Sequence, residues 1–444
     1  MNTKHSHNTG FYVHRDSSSI TQKLKRKLET RGCNSIFFHH SYNSPAINIP
    51  STVRMIEFGD DFNQSLDELP EGIIFMKTGY KFNQKIDNLP FSIRSIILSA
   101  EFDQSLDFLP FYLEYLELGY NYNRPLYNLP LYLKSLILHH CYNLPLDELP
   151  PYLEKLVLGF TFNQPLQLLP PSLKYLTCGF TFNYPLECLP DTVEVLNLGF
   201  KFTQVFTRFP TNLVELTLGN NYNQPLDSLV NSRLIKLVLG PKFNLPLDNL
   251  PKTLKCLFCG MDFNYPLNNL PAGLETVVLS KAFNHPVDNL PSRLKMLILG
   301  DDFNYPVDNL PVNLIYLGLG KMFNYPIDNL PPLLQQLQLG ELYNLPIDFL
   351  PYRLEELNTG PYFNQPIDNL PPKLQKLILG YNFNQPINCL HDTVKSIQLG
   401  AKFQQYILVE TMPSQLRELV INNDYQYKDN ILQNPNINFE IKIV

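Results

Sequence analysis

An aromatic residue returns every twenty positions along almost the whole chain. The anchors are Tyr42, Phe62, Phe82, Phe102, Tyr122, Tyr142, Phe162, Phe182, Phe202 and Tyr222, then Phe243, Phe263, Phe283, Phe303, Phe323, Tyr343, Phe363, Phe383 and Phe403. Only the step from Tyr222 to Phe243 is longer, at 21 residues. A fixed period in the range of about 20–50 residues marks stacked repeats. One coil of this size buries too little apolar surface to offset the entropy of ordering its backbone. Neighbouring coils must cover its faces, so stability is shared along one dimension. A length of 444 residues taken alone suggests two or three domains, but the period predicts a single repeat array instead.

The stretch from Phe363 to Asn382 shows what one coil contains. Leu374, Leu377 and Leu379 alternate with polar and apolar neighbours in a pattern that predicts a short strand, with Leu377 inward and Lys376 and Ile378 outward. Gly380 follows, where a sharp turn and a positive φ are expected. The return segment is rich in Asn and carries proline, which removes a backbone donor and fixes φ. It is therefore expected to be extended with a tight turn, not helical. Equivalent strands in successive coils must then be parallel, joined by right-handed crossovers.

Phe363-Asn364-Gln365-Pro366-Ile367 and Leu370-Pro371-x-x-Leu374-x-x-Leu377-x-Leu379-Gly380 carry a family resemblance. The chain resembles the FNIP repeats of social amoebae and giant viruses, a variety of leucine-rich repeat. The resemblance covers roughly residues 36–422. It departs locally, since Phe62, Phe82, Phe102, Phe202 and Phe403 lack a proline three residues on. It implies a β-rich, right-handed, leucine-rich-repeat-like solenoid of about 19 twenty-residue repeats with one long parallel sheet and little helix. Many proteins of the family carry an N-terminal F-box. The roughly 33 residues ahead of the first strand are too few for one and show no such pattern, so that function is not transferred.

The formal net charge is −6, and no basic stripe runs along the chain, which argues against a nucleic-acid binder. Seven cysteines are scattered and odd in number, which is no disulfide framework and suggests a reducing compartment. No leader or membrane span is apparent. The expectation is a cytoplasmic protein, in host cytoplasm if viral, monomeric, without a cofactor, and without membrane or nucleic-acid partners.

Three segments are expected. Residues 1–35 form a polar tail, disordered through residue 17, and a capping helix. That helix starts at Ser18 or Ser19, runs to about Thr30 with Ile20, Leu24 and Leu28 on one face, and stops at Gly32. Residues 36–422 form the repeat solenoid. Residues 423–444 supply a C-terminal capping strand over the last apolar face. The inserted residue near Leu229–Leu234 predicts a bend or bulge.

Repeated polar rows offer candidate chemistry. The Asn that follows most anchors, as in Asn163, Asn264 and Asn304, is expected to be buried and to bond backbone amides. Stacked carboxylates at Asp248, Asp288, Asp308, Asp328, Asp348 and Asp368 suggest calcium, but Asp beside Asn before Leu-Pro fits an Asx-type turn better. Cys256 and Cys259 have zinc-like spacing without a second pair. His39-His40 and His139-His140 read as surface or edge residues without acidic partners at metal spacing. No nucleophile motif or phosphate-binding loop is present, and the outward Glu57, Glu117 and Glu215 are dispersed. The sequence thus favours a non-catalytic scaffold that binds another macromolecule, most readily a protein, through its strand face or rim. The alternatives are a carbohydrate-acting β-solenoid enzyme and a purely structural repeat. Two strips are candidate contact surfaces. The first is Val238, Cys256, Phe258, Val278, Met296, Ile298 and Tyr316, outward on strands. The second is Tyr120, His140, Phe160, Phe180 and Phe200, just past the strand.

Overall fold

The computed structural model describes residues 11–14 and 18–444. The chain divides into two compact units, Met1–Glu215 and Leu216–Val444. Each is a stack of coils that contribute one short strand apiece. In the first unit the strands run from Phe11–His14 and Ser35–Phe38 to Val195–Asn197. Neighbours pair in parallel with a shift of one coil, so that Leu156 lies beside Leu176 and Leu176 beside Leu196. In the second unit the strands run from Lys236–Val238 to Glu440–Ile443. There Leu237, Leu257, Val277 and Leu297 form one such line. The central residue of each repeat strand faces the core and its two neighbours face outward, half-buried or exposed except for the buried Gly318.

Two turns close most of the coils. The anchor amide donates to the carbonyl three residues back, as Phe303 does to Gly300 (3.1 Å). The leucine after the proline corner does the same, as Leu314 does to Pro311 (3.1 Å). The segment between them is extended, because its prolines lack the donor a helix needs. Inside the stack the anchors lie ring over ring, with centroids 5.9 Å apart for Tyr42 and Phe62 and 6.4 Å for Phe243 and Phe263.

Gly380 differs from the sequence-based expectation. Among the described residues, positive φ at glycine is confined to Gly32, Gly72 and Gly360. At Gly380 the constraint is contact: a Cβ would fall 1.6 Å from the carbonyl oxygen of Gly360, one coil back. The same close approach recurs along the row, at 1.7 Å for Gly320 over Gly300.

The chain ends depart from simple coils. Most of the tail expected to be disordered, residues 1–10 and 15–17, lies outside the described residues. Phe11–His14, however, form a strand parallel to Ser35–Phe38, an element not predicted from the sequence. The helix spans Gln22–Thr30 and its cap is Thr21, not Ser18 or Ser19. Thr21 Oγ1 accepts from the Leu24 amide at 3.2 Å. Gly32, at φ +65°, ends it, and the Cys33 amide reaches back to Leu28 O (3.0 Å), a left-handed closure that suits glycine. The extra residue of the longer repeat is absorbed in a 3-10 helix, Asp227–Asn231. Near the C-terminus a short helix, Lys428–Leu432, precedes the strand Glu440–Ile443. Among the described residues no helix is long and apolar enough to cross a membrane.

Candidate interaction surface

The first strip lies on the outward face of the second unit's strands, and the register divides it between two lines. Val238, Phe258, Val278 and Ile298 are successive partners, and the line ends at Gly318. Cys256, Met296 and Tyr316 belong to the adjacent line, which Thr276 interrupts. All seven are half-buried. Tyr316 Oη donates to Gln338 Oε1 at 3.2 Å.

The second strip forms a continuous column in the first unit. Tyr120 stacks on His140 with centroids 4.5 Å apart and planes 8° from parallel. His140 stacks on Phe160 at 4.6 Å, Phe160 on Phe180 at 4.5 Å, and Phe180 on Phe200 at 4.5 Å. The rings remain accessible at their edges: Tyr120 is 49% exposed and Phe160 43%. The outer spacing is close to the ~4.8 Å between parallel strands, so the rings meet nearly face to face. The buried anchors, with centroids about 6 Å apart, are offset.

A third aromatic cluster was not singled out from the sequence. At the proline corner Tyr112 stacks on Tyr132 at 5.5 Å and Tyr132 on Tyr152 at 6.0 Å. Phe111 meets Tyr132 edge-on at 5.5 Å, and the Arg94 guanidinium lies 5.2 Å over the Tyr112 ring. The signal was present as aromatics at matching positions in three consecutive coils.

The polar rows connect coils. Asn304 donates its amide N–H to Asn284 Oδ1 (3.0 Å), and its own Oδ1 accepts from the Asn324 amide (3.2 Å). These asparagines are exposed and not buried as expected, because the anchor ring beside each takes the interior position. The Asp row likewise accepts bonds from the following coil: Asn309 Nδ2 donates to Asp288 Oδ1 (3.1 Å) and Asn329 Nδ2 to Asp308 Oδ1 (3.1 Å). It is an inter-coil ladder, where an Asx-type turn was expected. Among the described residues no group of three or more His, Cys, Asp and Glu side chains could hold a metal ion. Cys256 is half-buried and Cys259 buried, where desolvation pushes its thiol well above the ordinary range. His139 Nε2 lies 3.0 Å from Glu117 Oε1. Glu117 also accepts from Tyr115 Oη at 2.6 Å, and burial together with that carboxylate pushes the Tyr115 hydroxyl up. Glu57 pairs with Lys77 at 2.5 Å.

Five stretches, residues 62–101, 142–179, 162–201, 342–382 and 363–402, match the model of the FNIP Repeat. The chain carries FNIP repeats. Among solved structures, CroV588, a circular leucine-rich-repeat protein from a giant virus, is 28% identical to this FNIP-repeat chain, with a TM-score of 0.74. The match covers 92% of this chain and 76% of that one. The Toll–Spätzle complex of Drosophila matches at 14% identity and a TM-score of 0.50, covering 98% of this chain and 84% of that one; this likeness shows the fold alone. No curated protein matches by sequence. The FNIP repeats here build a leucine-rich-repeat-like solenoid of parallel strands with little helix.

Proposed function

We propose that this FNIP-repeat chain is a non-catalytic scaffold that holds another protein at the aromatic column Tyr120, His140, Phe160, Phe180 and Phe200. The column itself carries the reading. His140, Phe160 and Phe180 each have both ring faces covered by neighbours. A sugar ring or a nucleobase needs an open ring face to stack on, and such a face is left only at the ends. Exposed ring edges suit aliphatic side chains, edge-to-face aromatics and carbonyl oxygens, which are what a protein surface offers. This also disfavours the carbohydrate-acting alternative, whose outward Glu57 and Glu117 are engaged with Lys77, Tyr115 and His139. Leucine-rich-repeat-like solenoids are generally non-catalytic. The strand-face strip of the second unit is the second contact candidate in this reading. The described residues between 11 and 35, and residues 423–444, act as caps over the terminal apolar faces, and the site of action is a reducing, cytoplasmic compartment.

The test is a pair of double variants. Phe160→Ser with Phe180→Ser should keep the parent's circular dichroism and lose capture of a protein that the parent retains from cell lysate. Phe258→Ser with Ile298→Thr probes the strand face in the same way. If both pairs fold and keep every partner of the parent, the reading fails.

A further inference from the structure

A groove of about 480 Å³ opens in the second unit beside the N-terminal ends of the strands between Met296–Ile298 and Glu356–Asn358. Arg293 and Arg353 line it, and both are exposed. Neither makes an ion pair among the described residues. Lys295 also lines the groove and is bonded to Glu275 at 2.7 Å. Glu275 is approached by Lys255 as well, at 3.4 Å, and these two ammonium groups hold its carboxyl below the usual range. The one carboxylate of the lining is thus already compensated, and the two guanidiniums are left without a counter-charge. Between them lie the apolar side chains of Ile315 and Leu333.

The spacing selects a ligand. Arg293 and Arg353 stand three coils apart, roughly 14 Å at ~4.8 Å per coil. An extended peptide advances about 3.3–3.6 Å per residue, so side chains four residues apart are separated by a similar distance. Positions i, i+2 and i+4 of an extended chain project to one side. Carboxylates at i and i+4 then meet the two arginines, whose planar guanidiniums favour bidentate carboxylate pairing. The side chain at i+2 falls on Ile315 and Leu333. We propose that this groove binds an extended acidic segment of a partner protein with the pattern acidic–x–apolar–x–acidic. The site is distinct from the aromatic column and stands or falls separately from it.

A fluorescein-labelled peptide containing Glu-Ser-Leu-Ser-Glu, titrated with the full chain and followed by anisotropy, tests this. Binding should weaken as salt rises, because the pairs are solvent-accessible. Arg293→Gln with Arg353→Gln, both at exposed positions, should melt at the parent's temperature and bind the peptide at least about tenfold more weakly. A Gln-Ser-Leu-Ser-Gln peptide should show the same loss, and a peptide with its two glutamates adjacent should bind more weakly than the spaced one. The proposal is overturned by an absence of parent binding up to about 1 mM, by unchanged binding in the double variant, or by equal binding of the glutamine peptide. It is equally overturned if phosphatidylserine vesicles bind the parent and the peptide does not.

Discussion

Phe303 lies between Phe283 and Phe323, with ring centroids 6.3 and 6.1 Å away, and is fully buried. Phe303→Ala removes a ring that neighbours on both sides need, and close-packed coils cannot collapse into the gap without losing register. The expected loss is about 3–5 kcal/mol in urea unfolding. The next residue behaves differently because it is exposed. Asn304→Ala deprives the Asn324 amide of its acceptor, but water can reach the site, so the loss should be near the net value of one hydrogen bond, about 0.5–1.5 kcal/mol. Equal losses at the two positions would mean that the Asn ladder is as sealed from solvent as the ring column. The sequence shows both rows with the same period. It does not show that one points into the core and the other onto the rim, and that difference decides the energies.

At the scale of the coil, two glycines in one repeat make opposite demands. A Cβ on Gly320 would lie 1.7 Å from the Gly300 carbonyl oxygen. Ser99, His139 and Ser280 occupy this position in other coils, so a side chain can be seated there, and the cost at Gly320 is the local adjustment that a Cβ so close to a carbonyl requires. A Cβ on Gly318, in the strand Tyr316–Gly318, would meet Ile298 Cγ1 and Tyr316 Cε1 at 3.5 Å, which is ordinary contact. Gly320→Ala should therefore destabilise by about 1–3 kcal/mol. Gly318→Ala should be neutral or stabilise by up to about 1 kcal/mol, since it restricts the unfolded chain and adds contact. Thermal melts of the two variants decide this, and a larger loss for Gly318→Ala than for Gly320→Ala would contradict it. Strand, turn and return segment were legible because each depends on residues close in sequence: the leucine alternation, the proline and the glycine. The reason for the glycine was not, because the atom it avoids belongs to the previous coil. The strand Phe11–His14 was missed for a related cause, as its four residues gain their order from pairing with Ser35–Phe38.

Across the whole molecule the repeat makes one environment occur many times, so small local effects add. The candidate surfaces show both sides of this. Tyr120 through Phe200 were recognisable as a row because the period places like beside like. Phe111, Tyr112, Tyr132 and Tyr152 were overlooked because they sit at the proline corner, where the residue type varies from coil to coil. The sequence likewise gave no measure of how far each ring's face would be covered. The same addition governs the response to alkali. Tyr122, Tyr142, Tyr222 and Tyr343 stand at anchor positions with no exposed surface, and desolvation pushes each hydroxyl well above its ordinary value of 10.0. Below pH 10 these groups are protonated in both the folded and the unfolded chain and leave stability unchanged. Above pH 10 the unfolded chain releases their protons while the folded chain retains them. Stability is then lost as pH rises, by up to about 1.4 kcal/mol per pH unit for each tyrosine. Replacing all four with phenylalanine, the commoner anchor, removes this term at almost constant volume. At neutral pH the change should be close to neutral, because the buried Tyr122 hydroxyl has no hydrogen-bond partner among the described residues while Tyr343 Oη donates to Pro346 O at 3.4 Å. Melting temperatures of the parent and the fourfold variant should therefore stay close together up to about pH 10 and separate increasingly above it, with the parent falling faster. Parallel curves through pH 11 would show that the anchor hydroxyls ionise as readily in the folded stack as in the unfolded chain.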